Sequence, residues 1–315
     1  MPSARRLPAA LLLAALTLSA CGGPQNAGQN QQEAGDQDTG AFPVTVEDAS
    51  GKVAIESPPR RIVSLSPTAT EMLFAVGAGD EVVAADEYSD HPKEAPTTDL
   101  SGFTPSVEAI SEYNPDLVVL ARDAADAAEQ LRKVDVPVLL IPAATTLDEA
   151  YGQMRMLGKA TGHAQQADKV ADRVESDVEE IVEETTAEVG DTDLSVYHEL
   201  DEGMYSATSD TFIGQVYDRF GLENIADSAE DAAGGYPQLS SEYIVEENPD
   251  LIFLSYGGDG AVEALRERPA FDSVTAVRNG DVVQLDPDVS SRWGPRVVDL
   301  AESVSEAVTA AAQEG

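Results

Sequence analysis

The sequence has few of the residues that cross-link a chain or bind polyanions. It contains one cysteine in 315 residues, so no intrachain disulfide framework can stabilise it. Lysine and arginine together number 19 against 58 acidic residues, which gives a formal net charge of −39. No basic patch is available to neutralise phosphates, and we therefore expect no nucleic-acid partner.

The shortage of lysine has two explanations. Only five lysines occur, at positions 52, 93, 133, 159 and 169. A surface this acidic fits a salty extracellular habitat, and it equally fits a generically acidic secreted protein. Net charge bears on solubility rather than on fold, so the sequence leaves this choice open.

Signatures of catalysis and of metal binding are also missing. The sequence has no G-x-S-x-G elbow, no P-loop and no H-E-x-x-H pair, which are the patterns of common nucleophilic, phosphate-binding and zinc sites. Its three histidines, His91, His163 and His198, are not paired at the spacing of metal ligands. We expect no enzymatic activity, no catalytic cofactor and no metal site.

The one long apolar run is at the N-terminus. Two arginines precede Leu7–Leu18, and the run ends in Leu-Ser-Ala-Cys. This arrangement resembles the signal peptide and lipobox of bacterial lipoproteins, in which Cys21 would be lipidated. We therefore expect a signal over 1–20, a flexible polar tether over 21–41 and a lipid anchor on the extracytoplasmic face of the cell membrane. The alternatives are an ordinary signal peptide with a stray cysteine, or a membrane anchor, for which the run is short.

One stretch of the remaining chain occurs twice. Ser106–Leu120 (SVEAISEYNPDLVVL) and Ser240–Leu254 (SSEYIVEENPDLIFL) are identical at nine of fifteen aligned positions. In each copy a serine that can cap a helix is followed by apolar residues at helical spacing. Asn-Pro then ends the helix, and a continuously apolar run predicts a buried parallel strand. The copies lie too far apart in the chain for a solenoid and indicate two similar lobes.

Strands and helices alternate around both copies, which predicts an α/β protein with parallel sheets. A hairpin is expected over 42–55 and one helix over 124–133. Apolar residues at helical spacing predict a long helix over 164–189. We expect two Rossmann-like lobes, over 42–146 and 191–315, joined by a helical linker over 147–190 that contains this one long α-helix.

Ligands of open α/β sheets bind outside the carboxyl ends of the strands. The loops at those ends hold many of the aromatic side chains of a chain that is only 5% aromatic. Aromatic rings and arginines facing one another across a cleft suit a large, partly apolar ligand. The candidates in these loops are Ser66, Pro67, Tyr88, Asp90, Phe103, Arg122, Tyr205, Tyr236, Asp288, Arg292 and Trp293.

Several motifs together resemble the class III periplasmic binding proteins of ABC importers for cobalamin, ferric siderophores and haem. They are the opening RIVSLSPTATEMLFAVG, the repeated E-x-I-x-x-x-x-PDL, the long middle helix and RWGPR before the last helix. The resemblance covers about residues 42–312 and implies two α/β lobes bridged by one helix. YSDHP at 88–92, GYPQ around Tyr236 and the spacing D-x-x-x-R-x-x-P-R from Asp288 are most similar to cobalamin-binding members, although tryptophans of those members are absent near Phe103 and at Tyr236.

The resemblance also implies a function. The chain would be a monomeric, lipid-anchored receptor that captures cobalamin or a related corrinoid and delivers it to a permease dimer with its ATPase. Glu108 and Glu242, one in each repeat, would dock on the permease. The alternatives are a receptor for a ferric siderophore or haem, which would need cations facing an anionic ligand, a secreted enzyme, and an adhesin or structural lipoprotein.

Overall fold

The computed structural model describes residues 42–190, 192–229, 232, 234–258 and 260–314. The predicted signal, the tether and Cys21 lie outside these residues. Within the described ranges, no helix is both long enough and apolar enough to cross a bilayer.

The predicted N-terminal hairpin is present. Strands β1 (Val44–Asp48) and β2 (Gly51–Ile55) pair antiparallel. The Asp48 carboxylate holds the turn by accepting a hydrogen bond from the Ser50 N–H at 2.8 Å. Its second oxygen accepts from the Leu140 N–H at 2.6 Å. One side chain therefore closes the hairpin and attaches it to the first lobe.

The first lobe is built on a five-stranded parallel sheet with strand order β5-β4-β3-β6-β7. Its strands are β3 (Ile62–Leu65), β4 (Val82–Asp86), β5 (Thr97–Leu100), β6 (Leu117–Leu120) and β7 (Val138–Leu140), and its helices are α1 (Pro67–Ala75), α2 (Val107–Glu112) and α3 (Ala127–Arg132). All residues of β3 and β6 are buried, as expected for parallel strands covered on both faces.

The prediction of one helix over 124–133 was wrong. Ala125 and Asp126 both have φ of 55°, in the left-handed region that an L-residue cannot hold within an α-helix. A 3₁₀ turn over 124–126 precedes the break, and α3 begins only at Ala127. The small and polar residues of this segment are compatible with a continuous helix, so the sequence did not indicate the break.

Two helices follow the first lobe and lead to the second. They are α4 (Leu147–Thr161) and α5 (Ala164–Val189), the long helix that the sequence predicts. They pack closely at Gly158, where a Cβ atom would lie 2.1 Å from that of Ala167. Glycine is therefore needed at this crossing for its lack of a side chain.

The second lobe has a four-stranded parallel sheet with strand order β11-β10-β8-β9. Its strands are β8 (Ser195–Glu199), β9 (Glu223–Asn224), β10 (Leu251–Leu254) and β11 (Val282–Gln284), and its helices are α6 (Phe212–Arg219), α7 (Ser241–Glu247), α8 (Ala261–Arg266), α9 (Thr275–Asn279), α10 (Pro287–Ser291) and α11 (Val297–Glu314). The expectation of two α/β lobes with parallel sheets is confirmed.

The two copies of the repeat fold alike. Ser106 and Ser240 cap α2 and α7 through their side-chain oxygens. In both copies the aspartate of Asn-Pro-Asp accepts hydrogen bonds from backbone N–H groups at the start of the neighbouring strand. Asp116 binds the N–H of Arg61 at 2.9 Å, and Asp250 binds that of Ser195 at 2.9 Å. This aspartate sets the register between adjacent parallel strands, which explains why the motif occurs once in each lobe.

One apolar core joins the lobes. It includes Met72 of α1 in the first lobe, Leu157 of α4, Val178 of α5, and Val196 and Leu300 of the second lobe, all of them buried. Helix α11 packs along α5, where the Thr185 and Ser305 hydroxyls lie 2.6 Å apart. The lobes therefore share buried surface in addition to the linking helices.

A histidine is buried on strand β8 of the second sheet. His198 is fully buried, with Nδ1 2.6 Å from the Tyr217 hydroxyl and Nε2 2.6 Å from the Ser255 hydroxyl. Burial disfavours the charged ring and lowers the pKa of His198 from its ordinary value of 6.5 to about 3. The imidazole is therefore neutral in the folded protein at all but the most acidic pH.

This burial predicts a loss of stability in acid. Below about pH 6.5 the unfolded chain takes up a proton at His198 that the folded protein does not accept until about pH 3. The free energy of unfolding should then fall by roughly 1.4 kcal/mol per pH unit from this group. Urea titrations between about pH 6.5 and about pH 5 should show a shallower fall for His198→Gln than for the wild type. His91→Gln, at an exposed histidine, is the control, and equal slopes for all three proteins would contradict the assignment.

Candidate ligand-binding site

A cavity of about 500 Å³ lies at the carboxyl ends of β3, β4 and β6. The segment that begins with α10 completes its wall, so the chain of the second lobe contributes to it. Eight predicted residues line this space, which we call the aromatic cavity, namely Ser66, Pro67, Tyr88, Phe103, Arg122, Asp288, Arg292 and Trp293. Asp90 is not in the lining but contacts Arg292 behind it.

The aromatic side of this cavity is open. Tyr88 is 53% and Phe103 is 57% exposed, and their rings meet edge to face with centroids 5.9 Å apart. The Arg122 guanidinium lies over the Phe103 ring at 4.8 Å, a favourable cation–π distance. An apolar face and one cation are therefore presented together.

Arg292 is buried and already occupied. Its guanidinium lies 2.8 Å from Glu71, 3.2 Å from Asp90 and 2.7 Å from Asp288. It also donates to the Tyr88 carbonyl at 3.0 Å. Three carboxylates compensate its charge, so its main effect on the cavity is to hold the loop that carries Tyr88.

Glu71 was not predicted from the sequence as part of the site. Its side chain is only 2% exposed on α1, and it binds Arg296 through two hydrogen bonds of 2.9 and 2.6 Å as well as Arg292. A carboxylate on a helix whose other residues are mostly apolar needs a cation partner, and that was the available signal. Arg292 and Arg296 both follow α10, so this cluster joins the first helix of the first lobe to the C-terminal part of the chain.

Trp293, which also lines the cavity, is fixed by α4. Its indole N–H donates to the Gln153 side chain at 3.0 Å. The ring is partly buried and packs against the core that joins the lobes.

Tyr205 and Tyr236 do not line the aromatic cavity. Both belong to the second lobe, where Tyr205 forms an isolated antiparallel bridge with Gln238. They are 42% and 50% exposed. With Tyr88 and Phe103 they account for four of the five large hydrophobic side chains that are exposed among the described residues, and the fifth is Val134. Their part in binding stays a prediction.

Two features at the floor of the cavity were also missed. Asp86, the last residue of β4, is 2% exposed and lines the cavity together with Gly102. Burial raises the pKa of Asp86, and the hydrogen bond from Ser89 acts against that rise. The sequence signal, an aspartate ending an apolar strand, was present but was not used.

A second cavity, of about 520 Å³, lies after β10 and is lined by Glu202, Tyr256 and Arg268 among others. Arg268 reaches the buried Glu199 carboxylate with two hydrogen bonds of 2.7 and 2.6 Å. The hydroxyls of Tyr197 and Tyr256 donate to the same carboxylate. Glu199 is thus neutralised and fully hydrogen-bonded, as a buried charge requires. Asp259 of the loop beside it is outside the described residues.

Within the described ranges, no three His, Cys, Asp or Glu side chains are grouped so that they could hold a metal ion.

Comparison with known proteins gives consistent matches. The family described as periplasmic binding protein matches residues 62–289. The Bacillus subtilis protein named uncharacterized ABC transporter substrate-binding lipoprotein YvrC is 34% identical over 308 residues, which is 95% of each chain. The cobalamin-binding protein of Halobacterium salinarum is 30% identical over 280 residues, covering 82% of this chain and 72% of that one.

Solved structures agree with the fold. The vitamin B12 binding protein BtuF of Vibrio cholerae superposes with a TM-score of 0.67 at 25% identity, over 82% of this chain and 99% of that one. A possible iron-binding periplasmic protein of Staphylococcus epidermidis superposes with a TM-score of 0.70 at 24% identity, over 80% and 99%. With the family match over most of its length, the chain belongs to the periplasmic binding proteins, the non-catalytic substrate-binding components of ABC importers.

Proposed function

We propose that this protein captures cobalamin or a related corrinoid and delivers it to the permease dimer of an ABC importer. The observation that carries the choice of ligand is the charge balance of the aromatic cavity. Of the arginines in its wall, Arg292 is compensated by three carboxylates. Among the described residues that line the cavity, Arg122 is the only basic side chain without a carboxylate at ion-pair distance.

This balance disfavours an anionic ligand. Ferric siderophores and haem present carboxylate, catecholate or propionate oxygens, which are recognised by charge-assisted hydrogen bonds from free cations. Here Arg296 is also bound to Glu71, and Asp86 adds a further carboxyl group to the wall. A ligand without net negative charge suits this wall better than a ferric chelate.

The aromatic surfaces support the same choice. Tyr88 and Phe103 offer exposed ring area beside the cavity, and aromatic rings pack well on a large macrocycle with apolar faces. We place Tyr205 and Tyr236 on the opposite side of the bound ligand, as the second wall of a cleft between the lobes over 42–146 and 191–315. Relatives from Halobacterium and Pectobacterium carry cobalamin or vitamin B12 in their names.

The proposal includes a membrane anchor. The lipobox at Cys21 would attach the protein to the extracytoplasmic face of the cell membrane, and residues 21–41 would serve as a tether. The Bacillus subtilis relative, which matches along 95% of both chains, is named a lipoprotein. We propose that the anchored protein acts as a monomer, with the permease and its ATPase as partners.

Calorimetric titration of the full-length protein tests which ligand it binds. Cyanocobalamin should bind, whereas a ferric catecholate siderophore and haem, both of them anionic, should bind far more weakly. Tyr88→Ala and Tyr236→Ala should each weaken cyanocobalamin binding by on the order of 2 kcal/mol, because buried aromatic anchors dominate binding energy. Val134→Ala, at an exposed hydrophobic residue that is absent from the cavity lining, should bind like the wild type. Tight haem or siderophore binding without cyanocobalamin binding would contradict the proposal.

The two repeats supply the proposed docking contacts. Glu108 and Glu242 are exposed in the first turns of α2 and α7, and neither belongs to an ion pair within the described ranges. A carboxylate there is stabilised by the helix dipole, by about 0.3–1 kcal/mol. Equivalent acids on two similar lobes also suit arginines on a twofold-symmetric permease.

Substitution separates docking from helix stabilisation. Glu108→Ala/Glu242→Ala should keep ligand affinity and thermal stability close to wild type and abolish vitamin B12 uptake in cells that depend on this importer. Glu112→Ala/Glu246→Ala is the control, since these glutamates are also exposed and equivalent in the two repeats. Normal vitamin B12 uptake by the first double variant would leave helix stabilisation as the only role of Glu108 and Glu242.

A further inference from the structure

The Asp86 carboxylate at the cavity floor uses one oxygen, Oδ1, for its hydrogen bonds to neighbouring side-chain and backbone donors. Asp86 Oδ1 accepts from the Ser89 hydroxyl at 2.8 Å and from the Tyr88 N–H at 3.3 Å. Both of these hydrogen bonds end on Oδ1 rather than on Oδ2. Asp86 is 2% exposed and lines the cavity, so its carboxylate borders the space that a ligand would occupy.

A chain of buried hydroxyls fixes the orientation of this carboxylate. Ser89 Oγ lies 2.9 Å from Thr70 Oγ1, which in turn lies 2.8 Å from Ser64 Oγ. All three residues have no exposed surface. The network keeps Oδ1 engaged, so the carboxylate cannot turn to offer both oxygens elsewhere.

Gly102 keeps Oδ2 accessible. A Cβ atom at position 102 would lie 2.9 Å from Asp86 Oδ2 and 2.6 Å from the Leu65 carbonyl oxygen. Any side chain there would cover the carboxylate. Since Gly102 lines the same cavity, the missing side chain leaves room for a ligand atom beside Oδ2.

We propose that Asp86 determines ligand specificity by accepting, through Oδ2, a hydrogen bond from an uncharged N–H group of the ligand. This inference rests on the proposed function, and the corrinoid group of this kind is a peripheral primary amide. An amide N–H can donate to this oxygen, whereas a ligand carboxylate at the same place is repelled. Burial raises the pKa of Asp86, and the hydrogen bonds from Ser89 and Tyr88 act against that rise.

The test compares cyanocobalamin with its monocarboxylic acid derivatives, in each of which one peripheral amide is hydrolysed. The full-length wild type should bind one of these derivatives about tenfold or more weakly than the parent, because that derivative places its carboxylate against Asp86. Asp86→Asn should lose affinity for the parent and reduce this discrimination to near unity, since its amide can donate to the ligand carboxylate. Glu87→Gln, an exposed neighbour that does not line the cavity, should discriminate like the wild type.

The outcomes separate the two claims. Equal binding of the parent and all derivatives by the wild type would overturn the role of Asp86 even if Asp86→Asn did not fold. Discrimination unchanged in a folded Asp86→Asn would overturn it as well, while leaving the proposed function in place. A wild type that bound no cyanocobalamin would overturn the proposed function and the inference with it.

Discussion

The structure depends on a buried carboxylate held by two arginines from the far end of the chain. Glu71 lies on the first helix of the first lobe, and its partners Arg292 and Arg296 follow 221 and 225 residues later. Removing one member of such a buried cluster leaves an uncompensated charge, at a cost of about 3–5 kcal/mol. The ion cluster and the apolar core along the long helices therefore fix the relation of the two lobes.

The same ion cluster also shapes the candidate ligand-binding site. Arg292 joins Glu71 to Asp90, Asp288 and the Tyr88 carbonyl, so the cluster that connects the lobes also positions an aromatic wall of the cavity. Since these carboxylates neutralise the arginine, the cavity retains little positive charge. One arrangement thus positions the aromatic wall and underlies the proposed preference for a ligand that is not an anion.

Much of the fold could be predicted, because its signals are local. Continuous apolar runs located β6 and β10, helical spacing located α5, and the capping serines located α2 and α7. Edge strand β5 was missed, since TTDL is polar and largely exposed, and two-residue β9 gives no periodic pattern. Most cavity residues were predicted from strand ends. Glu71 was not, because nothing near it in sequence identifies partners at the opposite end of the chain, and Gly102 acts only through the space it leaves.

We expect the ion cluster and the shared core to hold the lobes fixed relative to one another before ligand binds. Spin labels at positions 112 and 246, exposed and equivalent in the two repeats, would report the separation of the lobes by pulsed electron paramagnetic resonance. Cys21 is the only native cysteine, so its replacement by serine leaves the two labels as the only thiol sites. We predict one narrow distance distribution that ligand leaves nearly unchanged and that Glu71→Gln broadens. A broad or two-peaked distribution without ligand, collapsing to a shorter distance with it, would contradict this account.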